Sequence, residues 1–162
     1  MLTIAEKITI NADINKIWAF LIDFSLILNF NRFHIKLEHP IQYSIGKLKK
    51  FKIDHNFGFG KYDMVAEITD CIPPNKLCLW EYCVDDKKKG FPHKVKFQIE
   101  PDGNKCTLSY TVTGTYGGKV QDLSFKPILN GVVIEELLKI KNAIESSENV
   151  TKPLASETGK PI

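Results

Sequence analysis

The sequence predicts an α+β fold in which a curved antiparallel sheet of seven strands grips one long C-terminal helix. Three observations carry that expectation. The first ten residues alternate as a strand does. Residues 32 to 115 break into short strand-like runs separated by turn residues, with no long helix among them. After Gly117-Gly118 the apolar spacing changes to that of a helix and holds to about Ile144.

In the opening strand Ile4, Glu6, Ile8 and Ile10 share one side, and Thr3, Ala5, Lys7 and Thr9 the other. Asn11-Ala12-Asp13 then supplies side-chain oxygens that can cap backbone amides, after which Ile14, Ile17, Trp18 and Leu21 fall on one helical face. Asp23-Phe24-Ser25 restarts a shorter helix that runs to about Asn29. The strands that follow are expected at 32–38, 47–54, 61–71, 76–85, 93–100 and 104–115. Between them lie Tyr43-Ser44-Ile45-Gly46, Asn56-Phe57-Gly58-Phe59-Gly60, Pro73-Pro74-Asn75, Lys89-Gly90-Phe91-Pro92 and Pro101-Asp102-Gly103-Asn104, all rich in turn formers. Connections this short join antiparallel neighbours, which gives a meander. In the last helix Leu123, Ile128, Val132, Val133, Leu137, Ile140 and Ile144 form the expected apolar stripe. Pro127 lacks an amide proton and crowds the preceding turn, so a kink or break is expected near residues 123 to 127. From Ser146 the composition is that of a flexible tail, which sets the expected domain at 1–145 and the tail at 146–162.

At 162 residues the chain suits one domain with one core. Its 43% hydrophobic and 25% charged content is that of a globular protein, neither disordered nor membrane-embedded. No apolar run is long enough to span a bilayer, and the first residues lack the basic and apolar segments of a signal peptide, so the expected location is the cytoplasm. Cys71, Cys78, Cys83 and Cys106 form no CxxC pair and sit in apolar strands, where they read as reduced thiols. The net charge of +3 comes largely from Lys47, Lys49, Lys50 and Lys52 and from Lys87-Lys88-Lys89, which read as solvated edge and turn. A nucleic-acid footprint would need a larger surplus on one face.

Only the last helix is large enough to cover the sheet, so the sheet must curve around it, and Gly58, Gly60, Gly114, Gly117 and Gly118 allow the bends. Space left between sheet and helix is where a small molecule would bind. Alternation predicts the wall of that space: Phe51, Ile53 and His55; Tyr62 and Met64; Trp80 and Tyr82; His93, Val95 and Phe97; Tyr110; and Val132 from the helix. On the fourth of the later strands, Glu81 marks the face of Leu77, Leu79 and Cys83 as the wet one. An aromatic and aliphatic wall with a few polar tips suits a hydrophobic ligand oriented by one or two hydrogen bonds. His55 and His93 are candidates for acid/base work because imidazole titrates near neutral pH, and His34 could lie near the cavity mouth. No catalytic residue is assigned, since no nucleophile pairs with a base in sequence. The spacing of histidines and cysteines offers no convergent metal ligands, and no phosphate-cradling or GxSxG motif is present, so no metal or cofactor is expected.

The opening ITINADINKIWAFLIDFSLILNF, with Ile17-Trp18, Leu21 and Asp23, and the ending LSFKPILNGVVIEELLKIKNAIE, with Leu138-Lys139, resemble the START-like (SRPBCC) superfamily of helix-grip proteins. That superfamily includes the polyketide cyclase/dehydrase, coenzyme-Q-binding and lipid-transfer branches. The resemblance covers about residues 3 to 145 and implies a cavity without naming its contents. Binding or transport of a small hydrophobic molecule, such as a lipid, polyketide or isoprenoid, is the leading expectation. A cyclase/dehydratase using His93, Tyr82 or Tyr110 is the first alternative. A co-chaperone-like interaction protein, with an exposed apolar tip at Phe57-Gly58-Phe59, is the second.

Overall fold

A computed structural model describes residues 1–38, 50–57 and 60–149. Among them the chain forms β1 (Leu2–Ile10), α1 (Ile14–Leu21), α2 (Phe24–Ile27), a 3-10 turn (Leu28–Phe30), β2 (His34–Glu38), β3 (Lys50–Asn56), β4 (Lys61–Ile72), β5 (Lys76–Cys83), β6 (His93–Asp102), β7 (Lys105–Gly114) and α3 (Lys119–Asn149). The Tyr43–Gly46 turn, His39, Lys47 to Lys49, the tip at 58 and 59 and everything after 149 lie outside the described residues. The last helix runs to Asn149, past the Ser146 at which the composition changes.

All seven strands pair antiparallel in one sheet of order β1-β7-β6-β5-β4-β3-β2. β2 to β7 are the expected meander, and β1 closes the far edge on β7. The turn chemistry acts where it is needed. Gly103 adopts φ +61° in the two-residue link from Asp102 to Lys105, and Gly90 adopts φ +67° before β6. Asp13 caps α1, its Oδ1 accepting from the amides of Asn15 at 2.8 Å and Lys16 at 3.1 Å.

The core lies between the concave face of the sheet and α3. Ile4 and Ile10 of β1, Ile53, Met64, Leu77, Phe97 and Leu108 from the other strands, and Ile17 and Leu21 of α1 are buried there. The helix contributes Leu129, Val133, Leu137, Ile140 and Ile144. Two residues of the expected stripe do not join them: Leu123 is 71% exposed and Ile128 56%. Each stands one residue, about 100° around the helix, from a buried neighbour, Asp122 or Leu129, and so faces away from the rest of the molecule. Pro127 does not break the helix: α3 is continuous through it, held before the proline by Asp122, which accepts from Tyr116 N at 2.7 Å, and after it by the buried Leu129.

One strand is turned over relative to expectation. Leu77, Leu79 and Glu81 of β5 pair with Phe97, Val95 and His93 of β6, all on the concave face, so Trp80 and Tyr82 stand on the convex face. There the two rings lie 4.4 Å apart, with the Lys87 ammonium 4.9 Å and 4.7 Å from their centroids. The Tyr82 hydroxyl donates to Glu67 Oε2 at 3.1 Å. A lysine cover and a hydroxyl partner let aromatic residues sit on the outside, which is why alternation alone picked the wrong face.

Candidate functional site

Three histidines reach the same place from different strands. His34 opens β2, His55 is near the end of β3 and His93 opens β6, and the antiparallel register sets His34 opposite His55 and His93 opposite Glu81. Each ring is fixed from behind by a backbone carbonyl at Nδ1: His34 to Leu28 O at 2.8 Å, His55 to Ile53 O at 3.3 Å and His93 to Phe91 O at 2.6 Å. Each Nε2 therefore points toward one atom, Glu81 Oε2, at 3.9, 3.0 and 3.3 Å respectively. The contact between His55 Nε2 and Glu81 Oε2 is close but out of line for a hydrogen bond, so both buried atoms lack an aligned partner. Glu81 is 2% exposed and His55 1%.

A second polar group faces the first from α3. Glu136, buried on the helix, accepts from the Tyr110 hydroxyl at 3.1 Å and from Asn31 Nδ2 at 3.1 Å, both at Oε2. Aromatic rings close the sides: Phe57 stacks 5.2 Å from His55 and Phe91 4.8 Å from His93, with Tyr116 4.2 Å beyond Phe91. Gly114 makes the close packing possible, since a Cβ there would lie 2.7 Å from His93 Cβ and 2.8 Å from the Phe91 ring.

The two carboxyl groups are driven in opposite directions. Burial alone would raise Glu81, but His93 and His55 together outweigh it and hold the carboxyl well below the usual range. Burial pushes Glu136 up to about 8, with the Glu81 charge adding to it against the bonds from Tyr110 and Asn31. Burial and the neighbouring Glu136 push the Tyr110 phenol well above its ordinary value. Burial and the charge of His55 lower His34 to about 4, whereas for His93 the Glu81 carboxylate and the Phe91 carbonyl overcome burial and raise it.

Two small spaces of about 10 Å³ each flank the cluster, each the size of roughly one water molecule. Asn31, His34, His93 and Tyr110 line both. Of the expected wall, His55, His93, Val95, Phe97 and Tyr110 line these spaces, while Phe51, Ile53, Tyr62 and Met64 belong to the packed concave face around them. Trp80 and Tyr82 are on the opposite face, and Val132 is buried beside Leu129 and Val133, which line the space in its stead. Phe57, expected at an exposed tip, is packed inside against Phe33, His55, Tyr62, Phe91 and Tyr116. Glu81, Glu136 and Asn31 were not anticipated. The spacing argument against convergent metal ligands also fails, because the His34, His55 and Glu81 ligand atoms all lie within 4.8 Å of one another. Separations in sequence of 21, 26 and 12 residues are closed by strand pairing, not by a local motif. Among the described residues no helix is long and apolar enough to cross a membrane.

No protein-family model matches the chain, and no curated protein matches its sequence. Solved structures do. A conserved protein from Geobacillus kaustophilus is 21% identical with a TM-score of 0.69, covering 90% of this chain and 97% of its own. The solution structure of the Aha1 dimer from Colwellia psychrerythraea is 20% identical with a TM-score of 0.62, at 90% and 97% coverage. The di-domain aromatase/cyclase StfQ of the steffimycin biosynthetic pathway is 13% identical with a TM-score of 0.68; the match covers 91% of this chain and 51% of that one. Identities this low speak to architecture, and with the sheet order and gripped helix described above the chain has the helix-grip fold.

Proposed function

We propose that the protein binds a small molecule with an apolar body and one polar group, held between the sheet and α3 with the polar group at the Glu81–histidine–Tyr110 cluster. The observation that carries this reading is the burial of two histidines, two glutamates and a tyrosine, with the half-buried His34 beside them, in the middle of an otherwise apolar interior. Buried ion pairs seldom add stability over packed apolar side chains, so a cluster of this size is better explained by what it contacts. Water-sized spaces mean that only a small part of a ligand reaches the cluster unless α2 and the segment before β2 move outward. The likeness to the aromatase/cyclase StfQ supports a cyclic or polyketide-like ligand over a long acyl chain. Transport and lipid carriage remain part of the same proposal and need the same outward movement to open a ligand-sized space.

A specific observation favours a second reading, acid/base catalysis on the bound molecule. Glu81 is ionised and Glu136 protonated near neutral pH, and pairs of carboxyl groups pushed apart in this way serve as base and acid. Chemical-shift mapping of the protein with a panel of small aromatic ketones, phenols and fatty acids tests the binding proposal. Shifts are expected at Val95, Phe97, Tyr110 and Val133, and Val133→Ile, whose one added methylene matches the water-sized space, is expected to weaken them. Shifts confined to the convex face, or none with any member of the panel, would overturn it.

A further inference from the structure

We propose that His34, His55 and Glu81 form a binding site for a divalent transition-metal ion of the zinc or iron(II) class, with His93 against Glu81 at its edge. Four features, each independent of the small-molecule reading, lead to it.

The first is spacing. Donors about 2.0–2.1 Å from a common ion in a tetrahedral site lie about 3.3 Å from one another. The ligand atoms of His34, His55 and Glu81 all lie within 4.8 Å of one another, with Glu81 Oε2 3.0 Å from His55 Nε2 and 3.9 Å from His34 Nε2. The second is orientation. All three Nδ1 atoms are engaged by backbone carbonyls, the arrangement by which metal-ligating histidines are aimed and kept in the tautomer that leaves Nε2 free.

The third is a conflict at the rings of His34 and His55 that a cation between them and Glu81 resolves. A neutral imidazole has one N–H. If that proton is on Nδ1, where it meets the carbonyl, Nε2 turns a lone pair on the carboxylate oxygen; if it is on Nε2, Nδ1 turns a lone pair on the carbonyl. Imidazolium satisfies both sides, as His93 can against Glu81, but His34 and His55 charged as well would leave two uncompensated charges around one carboxylate. A metal ion accepts the Nε2 lone pairs of His34 and His55 and the carboxylate at once. The fourth feature is that His55 Nε2 and Glu81 Oε2 are buried with no aligned hydrogen-bond partner.

Imidazole nitrogen with one carboxylate oxygen suits zinc, iron, nickel or copper and is too poor in oxygen for magnesium or calcium. The adjoining water-sized spaces, lined by Tyr110 and by Asn31, leave room for a further ligand, as in sites whose coordination is not closed by protein.

The full chain, stripped with a chelator and dialysed, is titrated with Zn²⁺ by calorimetry and with Co²⁺ by visible absorption. One ion per chain is expected, with Co²⁺ giving the d–d bands of a nitrogen-rich site of low coordination number and Zn²⁺ raising the thermal midpoint. His55→Ala and Glu81→Gln are each expected to weaken binding by at least about 100-fold. Cys78→Ser, remote from the cluster, is expected to change nothing. Absence of binding by the folded wild-type chain overturns the proposal without any variant, as does undiminished binding by a folded Glu81→Gln protein. Because the ion is titrated with no organic ligand present, failure here leaves the small-molecule reading standing, and failure of the ligand panel leaves the metal site standing.

Discussion

Replacing Glu136 by Gln should stabilise the protein, and do so more as pH rises. Gln keeps a carbonyl oxygen to accept from Tyr110 and Asn31, each 3.1 Å away in the parent, and replaces the ionisable O–H with an NH2 group that does not titrate. The groups that face Glu136 are Tyr110 from β7, Asn31 from the turn before β2, Glu81 from β5 and Lys139 one turn along α3. The sign follows from linkage: the folded carboxyl titrates at about 8 and the unfolded one at 4.5, so between those values the folded state holds a proton that the unfolded state has lost. The stability Glu136 contributes is complete below pH 4.5 and declines as pH rises toward about 8, by about 1.4 kcal/mol per unit. At pH 7 that loss is about 3 kcal/mol, which Glu136→Gln does not suffer. Urea unfolding of both chains followed by circular dichroism, in chelator so that no ion shifts the titration, measures the gap between them. It should be smallest near pH 4.5 and widen by about 3 kcal/mol at pH 7. A gap that stays constant across this range would refute the reasoning, because it would mean that Glu136 is ionised in the folded state.

Gly114→Ala places a Cβ 2.7 Å from His93 Cβ and 2.8 Å from the Phe91 ring, so it should cost about 1–3 kcal/mol and weaken whatever the cluster binds; unchanged urea midpoint and binding would show that the packing can relax. Trp80→Ala, on the convex face under Lys87, should leave both ligand shifts and metal stoichiometry intact, and a loss of either with the fold preserved would return Trp80 to the cavity wall. Ile140→Ala removes a fully buried side chain where α3 meets the sheet and should cost about 2–5 kcal/mol by chemical denaturation, against under about 0.5 kcal/mol for a polar substitution at the exposed Leu123.

Architecture was legible in the sequence because the signals were local and repeated: alternation along each strand, turn formers between strands, and a change of period at Gly117-Gly118. Four of the five interior strands from β3 to β7 present the face that alternation assigns. β5 does not, and the reason is instructive. Leu77, Leu79 and Cys83 share a face with Glu81, while Trp80 and Tyr82 occupy the other, so a charge on one side and two rings on the other argued for the wrong inside. What overrides that pattern is the trio of histidines that receives Glu81 and the lysine that covers the rings. Both are tertiary, and neither leaves a mark within the strand itself. The helix departs in a similar way: Leu123 and Ile128 lie about 100° to the side of Asp122 and Leu129, the residues that are buried. His55 and His93 were identified as candidates and His34 was set near the cavity mouth, yet their convergence was hidden because it depends on register between β2, β3, β5 and β6. Glu136 was hidden for a simpler reason, since a single Glu in a lysine- and glutamate-rich helix reads as solvent-facing until its neighbours on the sheet are known.

The most direct test of the cluster as a functional centre is a crystal structure of the zinc-soaked full chain with diffraction recorded on both sides of the zinc absorption edge. The account predicts one anomalous peak per chain, about 2.0–2.2 Å from Glu81 Oε2 and from the Nε2 atoms of His34 and His55, with the Nδ1 bonds to Leu28 and Ile53 retained. Glu81 hydrogen-bonded directly to His55 and His93 with no peak between them, at a zinc concentration that loads the crystal elsewhere, would contradict it.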